Sequence, residues 1–329
     1  MKFFKKLVVF TFFVILFTGC GDKKSDFMKE FTNKIESINS YHLSGVLEIV
    51  NNDDSYLYDV DVSFLKDNFF RVSLRNKTNN HEQIILRNEE GVFVLTPSLN
   101  KSFKFQSEWP YNNSQSYLLH NLLNDIKSDS DSVIEFIDNQ NVISTKVNYS
   151  NNKDLVSQKI FVNEKNDISS VEVYDSNGIV KMKMIFNNID YDADFNPDYF
   201  KLNNNMSVSY EIDSSLSKLN EIVYPMYIPQ NTYLSSQDRV DISGGERVIM
   251  TFAGDYPFML IQETINPSDE SLMMVYGEPL QLSDSIGIID ESSITWTQNN
   301  TLYYLVSNSL DQSQLIDVAN SVTVASIQK

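Results

Sequence analysis

Cysteine is almost missing. The 329-residue chain holds one, Cys20, so no disulfide can close within it and any core must stand on apolar burial alone. Histidine is scarce as well. His42, His81 and His120 lie far apart in the chain, at no spacing that suits a metal site or a nucleophile with its base. Positive charge is short: 26 Lys and Arg face 44 Asp and Glu, a formal net charge of -18. That balance opposes nucleic acid and flat adhesion to an anionic membrane, and favours solubility and basic partners. Motifs for chemistry are also lacking. There is no G-x-S-x-G element. Ser243-Gly244-Gly245-Glu246 has neither the lysine nor the following helix of a phosphate cradle and reads as a hairpin turn. Asp190, Asp192 and Asp194 open like a calcium loop, yet Phe195 stands where the glycine is needed and Lys201 where the bidentate glutamate is needed, so they read as an acidic loop. Any two carboxylates can meet in space for sugar cleavage, but no motif supports such a pair. The expectation is a protein that is not an enzyme, with no catalytic residues, no metal and no cofactor.

What is present begins with the segment that ends at the lone cysteine. Lys2, Lys5 and Lys6 precede an apolar run from Leu7 to Phe17, and Thr18-Gly19 supplies small residues before Cys20. This is the pattern of a secretory signal peptide. Its apolar run is shorter than the roughly 20 residues of a membrane span. Phe17-Thr18-Gly19-Cys20 resembles the bacterial lipobox, with Phe in place of the usual Leu. The resemblance implies that residues 1–19 are removed and that Cys20 is acylated with palmitate-like chains. The alternative is an ordinary cleaved signal with an incidental cysteine. Each buried methylene contributes about 0.8 kcal/mol, and stable attachment takes two or more chains. Residues 20–25 then form a lipidated tether. At about 3.4 Å per residue it keeps the folded body within roughly 20 Å of the anchor, with Lys23 and Lys24 beside the headgroups. Removing Lys2, Lys5 and Lys6 takes the charge from -18 to -21.

The remainder divides, by length and composition, into a domain over 26–212, a polar linker at 213–218 and a second domain over 219–329. Phe27, Phe31, Ile35 and Ile38 fall at helical spacing, with Ser25 or Asp26 as the cap. The period then changes to two. Tyr56, Tyr58, Val60, Val62 and Phe64 form one face of a strand, continued by Phe70, Val72 and Leu74 after a turn. Hairpin strands follow at 84–87 and 91–95, with another strand at 101–105. A second helix carries Leu118, Leu119, Leu122, Leu123 and Ile126, with Ser114 as its cap. Four more strands run from Val133 to Tyr174. A turn at 175–178, where Gly178 supplies positive φ, leads to the partner strand 179–186. In the second part, strands are expected at 247–252, 259–264, 286–290, 293–297 and 303–306. The last helix has a Ser309/Gln312 capping box and an apolar face of Leu315, Ile316, Ala319 and Val322.

Three stretches carry a family resemblance. Tyr41-His42-Leu43-Ser44-Gly45 follows a capped helix and opens a long meander. Gly91-Val92-Phe93-Val94-Leu95-Thr96-Pro97 is a strand that runs into a proline. Asn187-Asn188-Ile189, with Phe195 to Leu202 after it, forms a closing strand and end. Together they resemble the LolA/LolB-like carriers of outer-membrane lipoproteins, over about 26–210. Tyr224 to Pro229, Val248 to Glu263 and Trp296 to Val322 are similar to the C-terminal domain of sporulation and germination lipoproteins of spore-forming bacteria. The resemblance implies an α+β fold: an unclosed antiparallel β-barrel capped by helices, then a smaller antiparallel sheet with a C-terminal helix. Tyr56, Tyr58, Val60, Val62, Phe64, Phe70, Val72 and Leu74 would line its hollow. Phe27, Phe31, Ile35, Leu118 and Leu122 would sit on the lid helices. For each lining residue taken alone, plain core is the simpler reading. The implied function is binding of a hydrophobic ligand, an acyl chain or lipoprotein segment, or of an envelope partner, by a lipoprotein anchored at the extracytoplasmic face of the cell membrane. A regulatory sensor of sigma-factor signalling and a scaffold for a cell-wall amidase are the alternatives. A tether at Cys20 departs from carriers that shuttle. Cys20→Ala is expected to move the protein from the membrane fraction to the soluble fraction on ultracentrifugation.

Overall fold

The structure, a computed structural model, describes residues 22–52, 54–206, 218–219, 221–266 and 271–322. The leader, Cys20 and most of the expected linker (213–217) lie outside the described residues. The first helix, α1 (Asp22–Glu36), starts earlier than expected. Ser25 and Asp26 lie inside it rather than capping it, and 22–25 of the expected tether are helical. No breaker stands between Asp22 and Ser25. Once Phe31 and Ile35 pack, each preceding residue adds its hydrogen bond without a new nucleation cost.

Eleven strands follow: β1 (Ser40–Asn51), β2 (Asp54–Leu65), β3 (Phe69–Asn76), β4 (Glu82–Asn88), β5 (Gly91–Thr96), β6 (Lys101–Phe105), β7 (Val133–Ile137), β8 (Gln140–Lys146), β9 (Leu155–Val162), β10 (Ile168–Asp175) and β11 (Val180–Asp190). Helix α2 (Leu119–Ser128) interrupts them between β6 and β7. They form a meander in which each strand is antiparallel to its neighbours, and β1 closes onto β11 at the centre. Asparagine tips suit the tight turns. Asp138 and Asn139, between β7 and β8, both take positive φ, and so do Asn299 and Asn300 in the second sheet, as short hairpins that follow strand twist require. Gly45 sits at a bulge where β1 meets β11, and a Cβ there would lie 2.2 Å from the Ile185 carbonyl oxygen.

The sheet is not closed, and it curls. Side chains from β8 and β9 (Ile143, Ile160) and from β5 and β6 (Val94, Phe103) join one core cluster with the apolar faces of α1 and α2. Strands near both ends of the sheet reach the same helices only if the sheet wraps around them. Strands β4 and β5 are buried on both faces. Ile85 and Val94 face the helices, while Ile84, Leu86, Phe93 and Leu95 face outward and are covered by Phe200. This cover corrects the expected closing end: 197–200 is a 3-10 turn and α3 (Leu202–Met206) follows it, both laid on the outside of the sheet. Pro197 and the Asn196 side chain, which accepts from the Asp198 amide, start that turn.

The second sheet has seven strands: β12 (Thr232–Ile242), β13 (Gly245–Gly254), β14 (Phe258–Thr264), β16 (Glu278–Gln281), β17 (Ile286–Ile289), β18 (Ser293–Gln298) and β19 (Thr301–Val306), in the order β12-β13-β14-β19-β18-β17-β16. One strand of this half departs from the expected partition. β15 (Ser271–Val275) pairs in parallel with β6 and so belongs to the first sheet. One face of the small sheet, with Val248, Met250, Leu260 and the stacked Trp296–Tyr303 pair, packs on α4 (Gln312–Asn320). The capping box of α4 is Asp311 with Gln314, two residues later than expected. Leu310 and Leu315 on either side of it are both buried in the same cluster, the arrangement of a hydrophobic staple.

The opposite face of the small sheet contributes Ile286, Ile288 and Leu302 to the core of the large one. The junction is tied by polar groups. The buried Gln83 side chain accepts from the Ile286 amide (2.6 Å) and donates to the Ile286 carbonyl (3.2 Å). Tyr58 donates to the Ser283 carbonyl at 2.9 Å. Gln83→Leu leaves both Ile286 groups buried without partners, a loss of about 2–4 kcal/mol. A lowered urea midpoint with an unchanged slope is the expected result.

Candidate functional site

The eight expected lining residues come together on one face, under the two helices. Tyr58, Val60, Val62, Phe64, Phe70, Val72 and Leu74 are buried, and Tyr56 packs half-buried against them. The residues expected on the lid helices meet them. Phe31, Ile35, Leu118 and Leu122 are buried in the same cluster, and Phe27 is half-buried, its ring 5.9 Å from that of Phe31. In this state the residues form a filled trough. The trough has two ends. At one, Tyr58, Gln83 and Thr96 lie under the small sheet, with Thr96 Oγ1 3.2 Å from Thr297 Oγ1. At the other, Phe64 and Phe70 meet the segment 107–120.

That second end is aromatic and carries polar atoms without partners. Phe64 lies 4.9 Å from Phe70, 5.2 Å from Tyr41 and 4.4 Å from the His120 ring. Phe70 lies 6.0 Å from Trp109. Tyr41 Oη, Trp109 Nε1 and His120 Nδ1 are buried and make no hydrogen bond among the described residues. The Tyr41 hydroxyl is beside the Leu119 backbone at the start of α2 without completing a bond to it. Burial pushes the Tyr41 hydroxyl far above its ordinary range and lowers His120, so both stay neutral. Arg87 donates to the Trp109 carbonyl and lies over the half-exposed Tyr111 ring. Sequence reasoning missed Tyr41, Trp109 and this use of His120. A tryptophan beside a proline in a chain with two tryptophans was the available signal.

The two helices are held differently. α1 is tied by Lys34 to Asp167 at 2.7 Å and by Glu36 to Lys127, pairs that are all about a third exposed or more. Such surface pairs contribute about 0–1 kcal/mol. α2 is held from within. Asp125 accepts from Ser114 Oγ at 2.7 Å and from Gln158 Nε2 at 2.9 Å, and Thr145 donates to the Asp125 carbonyl. Ser114 is thus a brace rather than the expected cap; the helix starts at Leu119 with no side-chain cap. The reason is that Tyr117 and Leu118 are pulled into the core ahead of it. Burial pushes the Asp125 carboxyl up to about 6. Asp284, at the junction between sheets, is pushed to about 6 by the same cause, partly offset by a hydrogen bond from Gln298. His42 lies off the trough, bonded to Asp61 at 2.8 Å. Among the described residues no three His, Cys, Asp or Glu side chains gather as a metal site.

No family model matches the sequence. The chain is 34% identical over 315 residues to the sporulation protein YdcC of Bacillus subtilis (strain 168), covering 94% of this chain and 93% of that protein. This chain belongs to that family of sporulation proteins. Solved structures similar to it include the MucA/MucB complex of Pseudomonas aeruginosa, at 11% identity and a TM-score of 0.34, covering 89% of this chain and 96% of that one. The complex of the CwlD amidase from Clostridioides difficile with the GerS lipoprotein has a chain at 15% identity and 0.32, covering 53% and 99%. A LolA superfamily protein from Nitrosomonas europaea stands at 12% identity and 0.31, covering 54% and 98%. Scores at this level leave the architecture to its own strand order. That order is an unclosed antiparallel sheet wrapped on helices, followed by a smaller antiparallel sheet and a last helix, as the LolA resemblance implies.

The Asp125 brace has a pH signature. Its folded value of about 6 exceeds the unfolded value of roughly 4. The stability it contributes is therefore full below about pH 4 and is lost as pH rises through 6. Asp125→Asn keeps the bond from Ser114, and Gln158, whose Oε1 has no partner, can turn to accept from the new amide. The variant is expected to be about 1–2 kcal/mol more stable than the wild type at pH 7.5, with the difference vanishing near pH 4, in urea titrations across that range.

Proposed function

We propose that this protein is an extracytoplasmic binding protein, tethered to the membrane through Cys20, that takes an acyl chain or an apolar lipoprotein segment into the trough beneath α1. The observation that carries the reading is the set of three unpaired polar atoms, on Tyr41, Trp109 and His120, at the aromatic end of the trough, whereas the polar groups at its other end are paired. An amphiphile fits such a site with its chain along Val62, Val72 and Phe70 and its head at those atoms. The trough is filled in the state described by α1 together with α2 and the segment before it, so the ligand must displace part of that cover, and α1 is the part we propose moves. Polar ties of little energy hold α1, whereas α2 stays braced from within. Binding then exchanges one apolar surface for another, which lowers the cost of opening. Membership in a sporulation-protein family supports a role in spore formation. The expected tether at Cys20 favours a receiver or holder over a shuttle.

A second reading rests on a different surface. Tyr224, Met226, Tyr227 and Ile228 are exposed by 45%, 80%, 42% and 37% along one extended stretch. A contiguous apolar run of this kind suits a protein partner, such as a cell-wall amidase or a membrane signalling protein. Titration with a dansyl fatty acid separates the two. One saturable site per chain is expected, and Lys34→Glu, which sets like charges against each other at Asp167, is expected to tighten it about threefold by freeing α1. No saturable binding in either protein refutes the trough reading.

A further inference from the structure

The small sheet ends in a bare strand. β12 runs for 11 residues, nine of them exposed, and hydrogen-bonds only to β13. Among the described residues no other strand meets its far edge. Tyr233 is 62% exposed and Val240 44%. A long open edge is a template for a further strand, and proteins guard it with charges, a proline, a bulge or a cover; on β12 the pairing with β13 is irregular between Leu234 and Ser236, and the run from Gln237 to Ile242 keeps a regular register. β12 carries mixed charge instead, in the run Asp238-Arg239-Val240-Asp241. Arg239 and Asp241 stand opposite Val248 and Glu246 of β13, and Val240 stands opposite Arg247. Arg239 and Asp241 therefore project on one side of the sheet and Val240 on the other.

We propose that β12 pairs antiparallel with β12 of a second copy of this chain, about a two-fold axis through Val240 and perpendicular to the sheet. Such an axis keeps each side chain on its own side of the sheet, so only registers centred on a residue are allowed. With the axis at Val240, Arg239 faces the partner's Asp241 and Asp241 faces the partner's Arg239, two opposite-charge pairs on one face. A shift of one residue toward either end sets Arg239 or Asp241 against its own copy. The charge pattern thus selects one register and penalises its neighbours, since like charges directly opposed destabilise a sheet. The two small sheets become one continuous sheet, and the troughs of the large sheets stay outside the contact.

The test needs two measurements on the purified protein carrying Cys20→Ser, so that any added thiol stands alone. Directly opposed residues have Cα atoms about 4.5–5.5 Å apart, within reach of a disulfide. Val240→Cys is expected to give a covalent dimer on mild oxidation, and Asp238→Cys is not. In sedimentation equilibrium the parent is expected to associate into dimers. Asp241→Arg is expected to weaken that association about tenfold by setting two arginine pairs across the axis. Arg239→Asp added to it restores the association. Melting temperature checks that each variant folds: Glu246, opposite Asp241 on β13, already pairs with Arg239 at 3.3 Å, and in the double variant the side chain introduced by Asp241→Arg takes over as its cationic neighbour. One-chain mass throughout for the parent, equal cross-linking at 238 and 240, or dimers that ignore the charge reversals each overturn the proposal.

Discussion

The fold depends on covering one apolar sheet face. A twelve-stranded sheet presents Leu43, Val62, Val72, Val94, Ile143 and Val171 on the same side, far more than water tolerates. Closing into a barrel would bury that face against itself. This sheet instead stops short of closure and wraps around α1, α2 and a face of the small sheet. Each of the three plugs contributes side chains to a single cluster. At about 25 cal/mol per Å² of apolar surface removed from water, this burial dominates the stability of a chain that has no disulfide within its described residues. Under the proposed function, coverage by separate pieces rather than by closure lets one piece be replaced.

The three plugs are secured unequally. The small sheet is keyed to the large one by the paired amide of Gln83 and by Tyr58, both buried. α2 is braced through Asp125, Thr145 and Gln158. α1 relies on its apolar face and on pairs near the surface, at Lys34 and Glu36. Helix α1 is also the element that follows Cys20 in the chain. In the proposed arrangement, an anchor at that residue sits at the start of the one plug that can leave. Membrane attachment and access to the trough then bear on the same helix.

Much of this was legible in the sequence. Alternation along 56–64 and 70–74, the turn at 175–178 and the Leu118–Ile126 stripe placed the meander and its helices. The same alternation could not say whether its residues line a void or fill a core, because both demand apolar side chains at every second position. Filling is decided by Phe31 and Ile35, far away in the chain. β12 gave no signal: Thr232 to Ile242 mixes polar and apolar residues with no consistently apolar side, since neither face is buried, and pattern reading depends on burial. β15 was missed because its pairing with β6 is parallel and about 170 residues distant. The caps at Ser114 and Ser309 were displaced by neighbours, Leu118 and Leu310, that the core pulls inward. Gln83, Asp125 and Asp284 carry no local mark, because their roles arise only where two sheets or a helix and a sheet meet.

Hydrogen exchange read by mass spectrometry tests the central claim most directly, namely that α1 is a plug that leaves while the sheet beneath it stays folded. The account predicts that adding a fatty acid speeds exchange of the 27–36 amides while β1, β2 and β3 keep their protection. If α1 and these strands exchange together at one rate, with or without the fatty acid, the helix is fixed core and the account is contradicted.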